Sequence, residues 1–175
     1  MREVVYVSGA RTPIGKFLGY ISDYSARELG AFAAKGAIEK AGVKAEDIDN
    51  VVAGHCLVAG TSGGVAREVQ ADLGIPWKTP AVTVNQACGS SMRALDIAVQ
   101  EIQLGRSDCA LVFGTESMSN VPYTLRKARR GYRMFDGNDG PYDEMTSSMT
   151  CPISKVHMGV TAENVAEKYS ITRKE

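Results

Sequence analysis

Ala81-Val82-Thr83-Val84-Asn85-Gln86-Ala87-Cys88-Gly89-Ser90-Ser91-Met92-Arg93-Ala94 is the stretch whose reading decides the fold. Residues 81–84 are short, apolar and β-branched, which suits a buried strand. Residues 85–89 make a sharp turn with Gly89 at its end. From Ser90 to residue 104 the pattern is helical, and Gly105 stops it. A strand that turns tightly into a helix presents one side chain and the free N–H groups of a helix start to the same point. That side chain is Cys88. A helix N-terminus favours a thiolate, the reactive form of cysteine, and the same amides can hold the oxygen of a tetrahedral intermediate. Cys88 therefore reads as a candidate nucleophile, the backbone of Cys88 and Gly89 as a candidate oxyanion site, and the small Ser90 and Ser91 leave space for a substrate. A structural, buried cysteine is the competing reading, since cysteine is often buried.

Working outward, residues 3–8 are β-branched and aromatic and read as a buried strand, followed by a Gly/Pro loop at 9–15. A helix is expected over 26–41, with Ser25 and Glu28 forming a capping box and Gly42 ending it. Residues 50–57 read as a strand, 60–64 as a flexible connection, and 65–73 as a helix closed by Gly74 and Pro76. Residues 109–113 read as a further strand. Four strands alternating with three helices indicate an α/β layered domain with a mostly parallel sheet flanked by helices. In the helix at 90–104 only Arg93, Asp96, Gln100 and Gln103 make a polar stripe, so it is expected to pack on more than one side.

After Gly114 the periodicity fades, and 116–152 reads as a functional excursion or the start of a small second domain. The chain divides at this stage into 1–118 and 119–175. A short amphipathic helix is expected over 158–169. Thr172-Arg173-Lys174-Glu175 is itself a capping box, so the sequence reads as interrupted where a helix should begin.

Composition narrows the function. The chain has 175 residues, 20 basic and 20 acidic, and no formal net charge. That balance argues against a nucleic-acid binder, whose affinity rests on phosphate neutralisation. The run Arg126-Lys127-Ala128-Arg129-Arg130, with Arg133, reads first as a solvated face. The four cysteines, at 56, 88, 109 and 151, lack metal-ligand spacing, so no metal is expected, and Cys56 and Cys109 read as core residues. No apolar run suits a membrane span. A strand starting within three residues leaves no room for a leader, so a reducing cytoplasm is the expectation.

Four motifs now carry a family resemblance. Val84 to Ala94, with Asn85-Gln86-Ala87-Cys88-Gly89 at its heart, resembles the nucleophile motif of the thiolases. Gly114-Thr115-Glu116-Ser117-Met118-Ser119-Asn120-Val121-Pro122 is similar to that family's Gly-x-Glu-Ser-Met-Ser segment. His157-Met158-Gly159-Val160-Thr161-Ala162-Glu163-Asn164-Val165-Ala166 and Gly9-Ala10-Arg11-Thr12-Pro13-Ile14-Gly15 match as well. The resemblance runs the full length and implies the N-terminal half of a thiolase-like layered fold plus the start of its loop domain.

The resemblance also implies a chemistry. Cys88 would carry an acetyl group as a thioester, in the condensation of two acetyl-CoA to acetoacetyl-CoA or the reverse thiolysis. His157 and Met158 would shape the substrate pocket, a His-Met pair being similar to the short-chain acetyltransferases. Coenzyme A thioesters would be substrates, with no resident cofactor, and the parent enzyme would be a homodimer or homotetramer. The activating His, the oxyanion-hole Asn motif and a second Cys belong to the family's other half, and the last strand of the N-terminal domain follows the loop region in the family, so it too is missing here. The basic run could serve oligomer contacts or CoA phosphates. Against this stand a longer-chain 3-ketoacyl-CoA thiolase and a non-catalytic truncated fragment. A ketoacyl-synthase relative also shares the Cys-on-helix design, but the Glu-Ser-Met-Ser and His-Met-Gly motifs argue against it. As replacement bases both histidines read second: His55 reads first as structural and His157 as pocket lining.

Overall fold

The computed structural model describes residues 2–132 and 140–174; Arg133 and Glu175, named above, lie outside them. The chain forms two compact units, Met1–Asn120 and Val121–Glu175.

In the first unit three parallel strands make one sheet in the order β2-β1-β3, with β1 Asn50–Gly54, β2 Ala81–Val84 and β3 Ala110–Gly114. Their alternation sorts the core into two layers. Val51, Ala53, Leu111 and Phe113 pack with Ala34 of α1 (Ala26–Ala41) and with Val65, Ala66 and Val69 of α2 (Val65–Asp72). Val52, with Val84, Ala110 and Val112, packs against Ala94 and Ala98 of α3 (Ser90–Gln103). β1 is buried along its whole length, as a central strand covered on both faces must be.

The caps of α1 fall where the sequence places them. Ser25 Oγ accepts the Glu28 N–H, Glu28 returns the bond to the Ser25 N–H at 2.8 Å, and Gly42 ends the helix at φ +67°. Two glycines let α3 press onto the strand ends. A Cβ at Gly54 would overlap the backbone of Ser90 and Ser91, and one at Gly114 the Ser91 side chain.

Three expectations are corrected. Residues 3–8 are not a buried strand. They have no ladder partner among the described residues, and Val5, Tyr6 and Val7 are 69%, 75% and 68% exposed. The segment is tied by an Arg2–Asp108 ion pair and by Ser8 Oγ donating to the Ala37 carbonyl at 2.5 Å. Between it and β3 runs a groove of about 490 Å³, floored by apolar residues that include Leu95, Val99 and Ile102 of α3. β-branched composition cannot make a strand where no partner offers hydrogen bonds.

The strand expected over 50–57 ends at Gly54, because the amides of Cys56 and Leu57 donate to the Glu116 carboxylate instead of to a neighbouring strand. Finally, α3 is not enclosed. The sheet covers one side, burying Ser90, Ala94 and Ala98, while Met92 and Leu104 remain 73% and 64% exposed.

The second unit holds a two-stranded antiparallel ribbon, β4 Tyr123–Thr124 with β5 Tyr142–Asp143, then α4 Glu144–Ser148 and α5 Met158–Tyr169. Arg126 pairs with Glu144, at 2.9 Å, and stacks over the Tyr142 ring at 4.6 Å. So one cation of the basic run has a packing role.

Candidate active site

The site builds up from the C-terminal ends of the strands. β2 leaves the sheet at Val84 and turns through 85–89 into α3, and this turn is strained. Ala87 has φ +48°, a left-handed conformation that a side chain rarely adopts. Hydrogen bonds hold it there. Asn85 Oδ1 accepts the Ala87 N–H at 3.0 Å. The Ser90 hydroxyl donates to the Ala87 carbonyl at 2.6 Å and accepts the Gln86 N–H at 2.9 Å. The Ser90 N–H also donates to the Ala87 carbonyl, at 3.1 Å. Cys88, the next residue, is exposed one residue before the Gly89 cap of α3.

The Gly89 N–H donates to the Gln86 carbonyl at 3.0 Å. It closes the turn, and of the two amides put forward for an oxyanion it is the one already engaged.

A second layer of polar groups backs the turn. Asn85 Nδ2 donates to the Cys56 carbonyl at 2.9 Å. Glu116, just past β3, accepts the Cys56 N–H at 3.0 Å and the Leu57 N–H at 3.2 Å. His55 is 1% exposed, and its Nε2 lies 3.1 Å from Glu116 Oε1. That distance suits an ion pair, yet neither ring nitrogen has a hydrogen-bond partner. The ring thus lies beside the carboxylate without a hydrogen bond to it.

The thiols differ in surroundings. Burial, then the Glu116 carboxylate and Cys88, push the Cys56 thiol up. Burial, then Asp49 and Asp47, push Cys109 up. Cys109 packs against the core, as the sequence suggests, whereas Cys56 sits behind the Cys88 turn.

His157 and Met158 belong to the second unit, at the start of α5. His157 is the N-cap, and its Nδ1 accepts the Gly159 N–H at 3.0 Å, which puts the ring proton on Nε2. Met158 donates its N–H to the Met149 carbonyl at 2.8 Å and is 39% exposed. Among the described residues no group of three or more His, Cys, Asp or Glu could hold a metal ion, and no helix is long and apolar enough to cross a membrane.

Asn85 and Glu116 are the residues that sequence reading left without a part in this site. Asn85 had a local signal: an Asn two residues before a backbone N–H it can cap is an Asx-turn. Glu116 had none, since its partners lie about 60 positions away.

Comparison with known proteins agrees with this architecture. The family model described as the thiolase N-terminal domain matches residues 4–175. An acetyl-CoA acetyltransferase of Syntrophomonas wolfei is 43% identical over 175 residues, covering 99% of this chain and 44% of that protein. A solved acetyl-CoA acetyltransferase from Syntrophomonas wolfei superposes with a TM-score of 0.86 at 46% identity, over 97% of this chain and 42% of that one. The human mitochondrial 3-ketoacyl-CoA thiolase in complex with CoA gives a TM-score of 0.86 at 35% identity, over 97% and 43%. The chain thus spans less than half the length of these relatives. Over that span both sequence and fold are shared, and the chain belongs to the thiolase family, as its N-terminal domain.

Proposed function

We propose that this chain supplies the nucleophile of an acetyl-CoA acetyltransferase. The observation that carries the reading is Cys88, exposed on a strained turn where β2 runs into the N-terminus of α3. The Cys88 thiolate attacks the carbonyl carbon of one acetyl-CoA; a new carbon–sulfur bond forms, the bond from the acetyl carbon to the CoA sulfur breaks, and CoA leaves as a thiolate that is protonated by the family's other half. The enolate carbon of a second acetyl-CoA then attacks the Cys88 thioester. The new carbon–carbon bond gives acetoacetyl-CoA, and Cys88 is returned. Thiolysis is the same sequence reversed. His157 and Met158 line the acyl pocket, and the proton-transfer groups come from the family's other half. CoA thioesters are the partners, in a cytoplasmic homodimer or homotetramer.

Similarity to the human mitochondrial 3-ketoacyl-CoA thiolase supports a second reading, thiolysis of longer 3-ketoacyl-CoA substrates. Comparing acetoacetyl-CoA with longer 3-ketoacyl-CoA in the whole protein separates the two. Brief iodoacetamide treatment with peptide mapping tests the nucleophile itself. Cys88 should be alkylated ahead of Cys56 and Cys109, and labelling of either of those first would remove it from the role.

A further inference from the structure

We propose that Glu116 and Asn85 are positioning residues for Cys88, acting through two planar amides in series; the proposal rests on the reading of Cys88 as nucleophile. The first plane is the Cys56–Leu57 peptide. Its N–H, from Leu57, donates to the Glu116 carboxylate at 3.2 Å. In a trans peptide the C=O points the opposite way, so the Cys56 carbonyl is aimed at Asn85 Nδ2, 2.9 Å away. The second plane is the Asn85 side-chain amide. With Nδ2 committed to a carbonyl, Oδ1 must face the other way, where it takes the Ala87 N–H at 3.0 Å. A flipped amide would set N–H against N–H and C=O against C=O, so these partners fix its orientation.

The far end of the relay is the Ala87 amide, next to the thiol-bearing residue. Ala87 at φ +48° is strained, and such a conformation persists only where its surroundings over-determine it. The Ser90 hydroxyl restrains the carbonyl side of Ala87, and Asn85 restrains the N–H side. Without Asn85 half of that restraint is lost. Without Glu116 the Cys56 carbonyl keeps, besides Asn85, only the Val58 N–H at 3.2 Å, and the partner that orients Asn85 is less firmly placed. Glu116 is well placed for the task. It takes two amides at once, Cys56 and Leu57, and its side chain is only 27% exposed beside the buried His55 ring. Hydrogen bonds from backbone amides to a carboxylate are among the stronger ones in proteins.

The test is the alkylation rate of Cys88 by iodoacetamide in the 175-residue chain, read by peptide mapping. Cys151, in the second unit, serves as internal reference, and far-UV circular dichroism as the check on folding. Asn85→Ala and Glu116→Ala should each slow Cys88 by about tenfold, the upper scale of one ordinary lost hydrogen bond, and leave Cys151 unchanged. Glu116→Gln keeps an acceptor oxygen and should recover most of the rate, which a general loss of packing would not do. The double variant Asn85→Ala/Glu116→Ala should be no slower than the slower single one, because both act on one relay. Unchanged Cys88 rates in both single variants, or multiplied losses in the double, would overturn the proposal. If Asn85→Ala does not fold, the comparison of Glu116→Ala with Glu116→Gln carries the same decision. Were unsubstituted Cys88 to label after Cys56 and Cys109, the nucleophile reading would fall instead.

Discussion

Ser91, on the first turn of α3, occupies the space that a side chain on Gly114 would need at the end of β3. Gly54, at the end of β1, meets the same turn, but there the obstacle is the backbone of Ser90 and Ser91. The helix that follows the cysteine is therefore seated directly on two strand ends. The seat fixes the height of the Cys88 turn above the sheet.

The two glycines should respond differently to alanine. At Gly114 rotation relieves the Ser91 hydroxyl and leaves one close contact, the Ser91 Cβ at 2.7 Å, for a small shift of the helix start, whereas at Gly54 three backbone atoms of Ser90 and Ser91, closer still, require the helix itself to lift. Overpacking of this kind costs about 1–3 kcal/mol. Gly54→Ala should fall at the upper end or beyond, and Gly114→Ala at the lower. Urea unfolding midpoints measure the order. Equal losses would mean that α3 is more loosely seated than these contacts require.

Cys56, Cys109 and Cys151 should also separate by pH. Hydrogen bonds from the Ser154 side chain and its backbone N–H, then from the Ile153 backbone, pull the Cys151 thiol below the ordinary range. Cys56 and Cys109 lie above it through burial. Since the thiolate is the form that reacts, Cys151 should label ahead of Cys56 and Cys109 near neutral pH. Cys56 and Cys109 should join only as the pH rises above the range in which an ordinary thiol ionises. Iodoacetamide labelling at neutral and alkaline pH, mapped by peptide, gives the order. Early labelling of Cys109 would contradict it.

A carboxylate anchors the loop that leads into β3. Asp49 accepts the Ser107 hydroxyl at 2.5 Å, the Asp108 N–H at 2.7 Å and the Cys109 N–H at 3.2 Å. Burial alone would push this carboxyl up; the Ser107 hydroxyl and the two amides outweigh it and hold it below the ordinary value. A depressed carboxyl stabilises the fold above its unfolded pKa of about 3.9, and that contribution is lost as pH falls through the lower folded value. Asp49→Asn should therefore be less stable than the parent at pH 7, by ~1.5–3 kcal/mol on the scale of hydrogen bonds to charged groups. The difference should shrink below about pH 4. Urea midpoints across pH read it, and a pH-independent difference would assign the effect to packing.

Turnover is the next expectation. On the proposed function the chain contributes the nucleophile without the general base, which typically adds ~10²–10⁴-fold. The 175 residues alone should thus show negligible thiolysis of acetoacetyl-CoA, followed by loss of its absorbance. Robust activity abolished by Cys88→Ala would show that a group within this chain serves as base.

Much of the fold was legible because its signals are local. The Ser25/Glu28 box, the Gly42 stop, and the short strand at 81–84 running into a helix are each set by residues within a few positions of one another, and each appears where expected. Residues 3–8 were misread because a strand is a property of a pair, and their composition says nothing about the neighbour. The Cys88 turn was legible as a turn, and its support was not. Asn85, Cys56 and Glu116 meet only after β1, β2 and β3 have aligned, which joins positions about 30 and 60 residues apart. Linear spacing cannot carry that information.

The groove beside β3 leads to the last prediction. The outer edge of β3 has no ladder partner among the described residues, and neither does the extended segment at 3–8 that faces it. An edge of this kind offers unpaired backbone groups to another chain. Apolar side chains line the space between, with Leu95, Val99 and Ile102 of α3 at its floor. Met92 and Leu104 extend the apolar surface of the helix into solvent. The largest apolar patch on an ordinary monomer is about 300–600 Å², and larger ones drive association. The isolated chain should therefore bind a hydrophobic dye and self-associate as its concentration rises. Light scattering over a concentration series, with dye fluorescence as a second readout, measures both. Leu95→Lys, which places a charge at the groove floor, should reduce dye binding and association together. A compact monomer that leaves the dye dark at high concentration would mean that the groove closes in solution, with residues 3–8 collapsed onto β3.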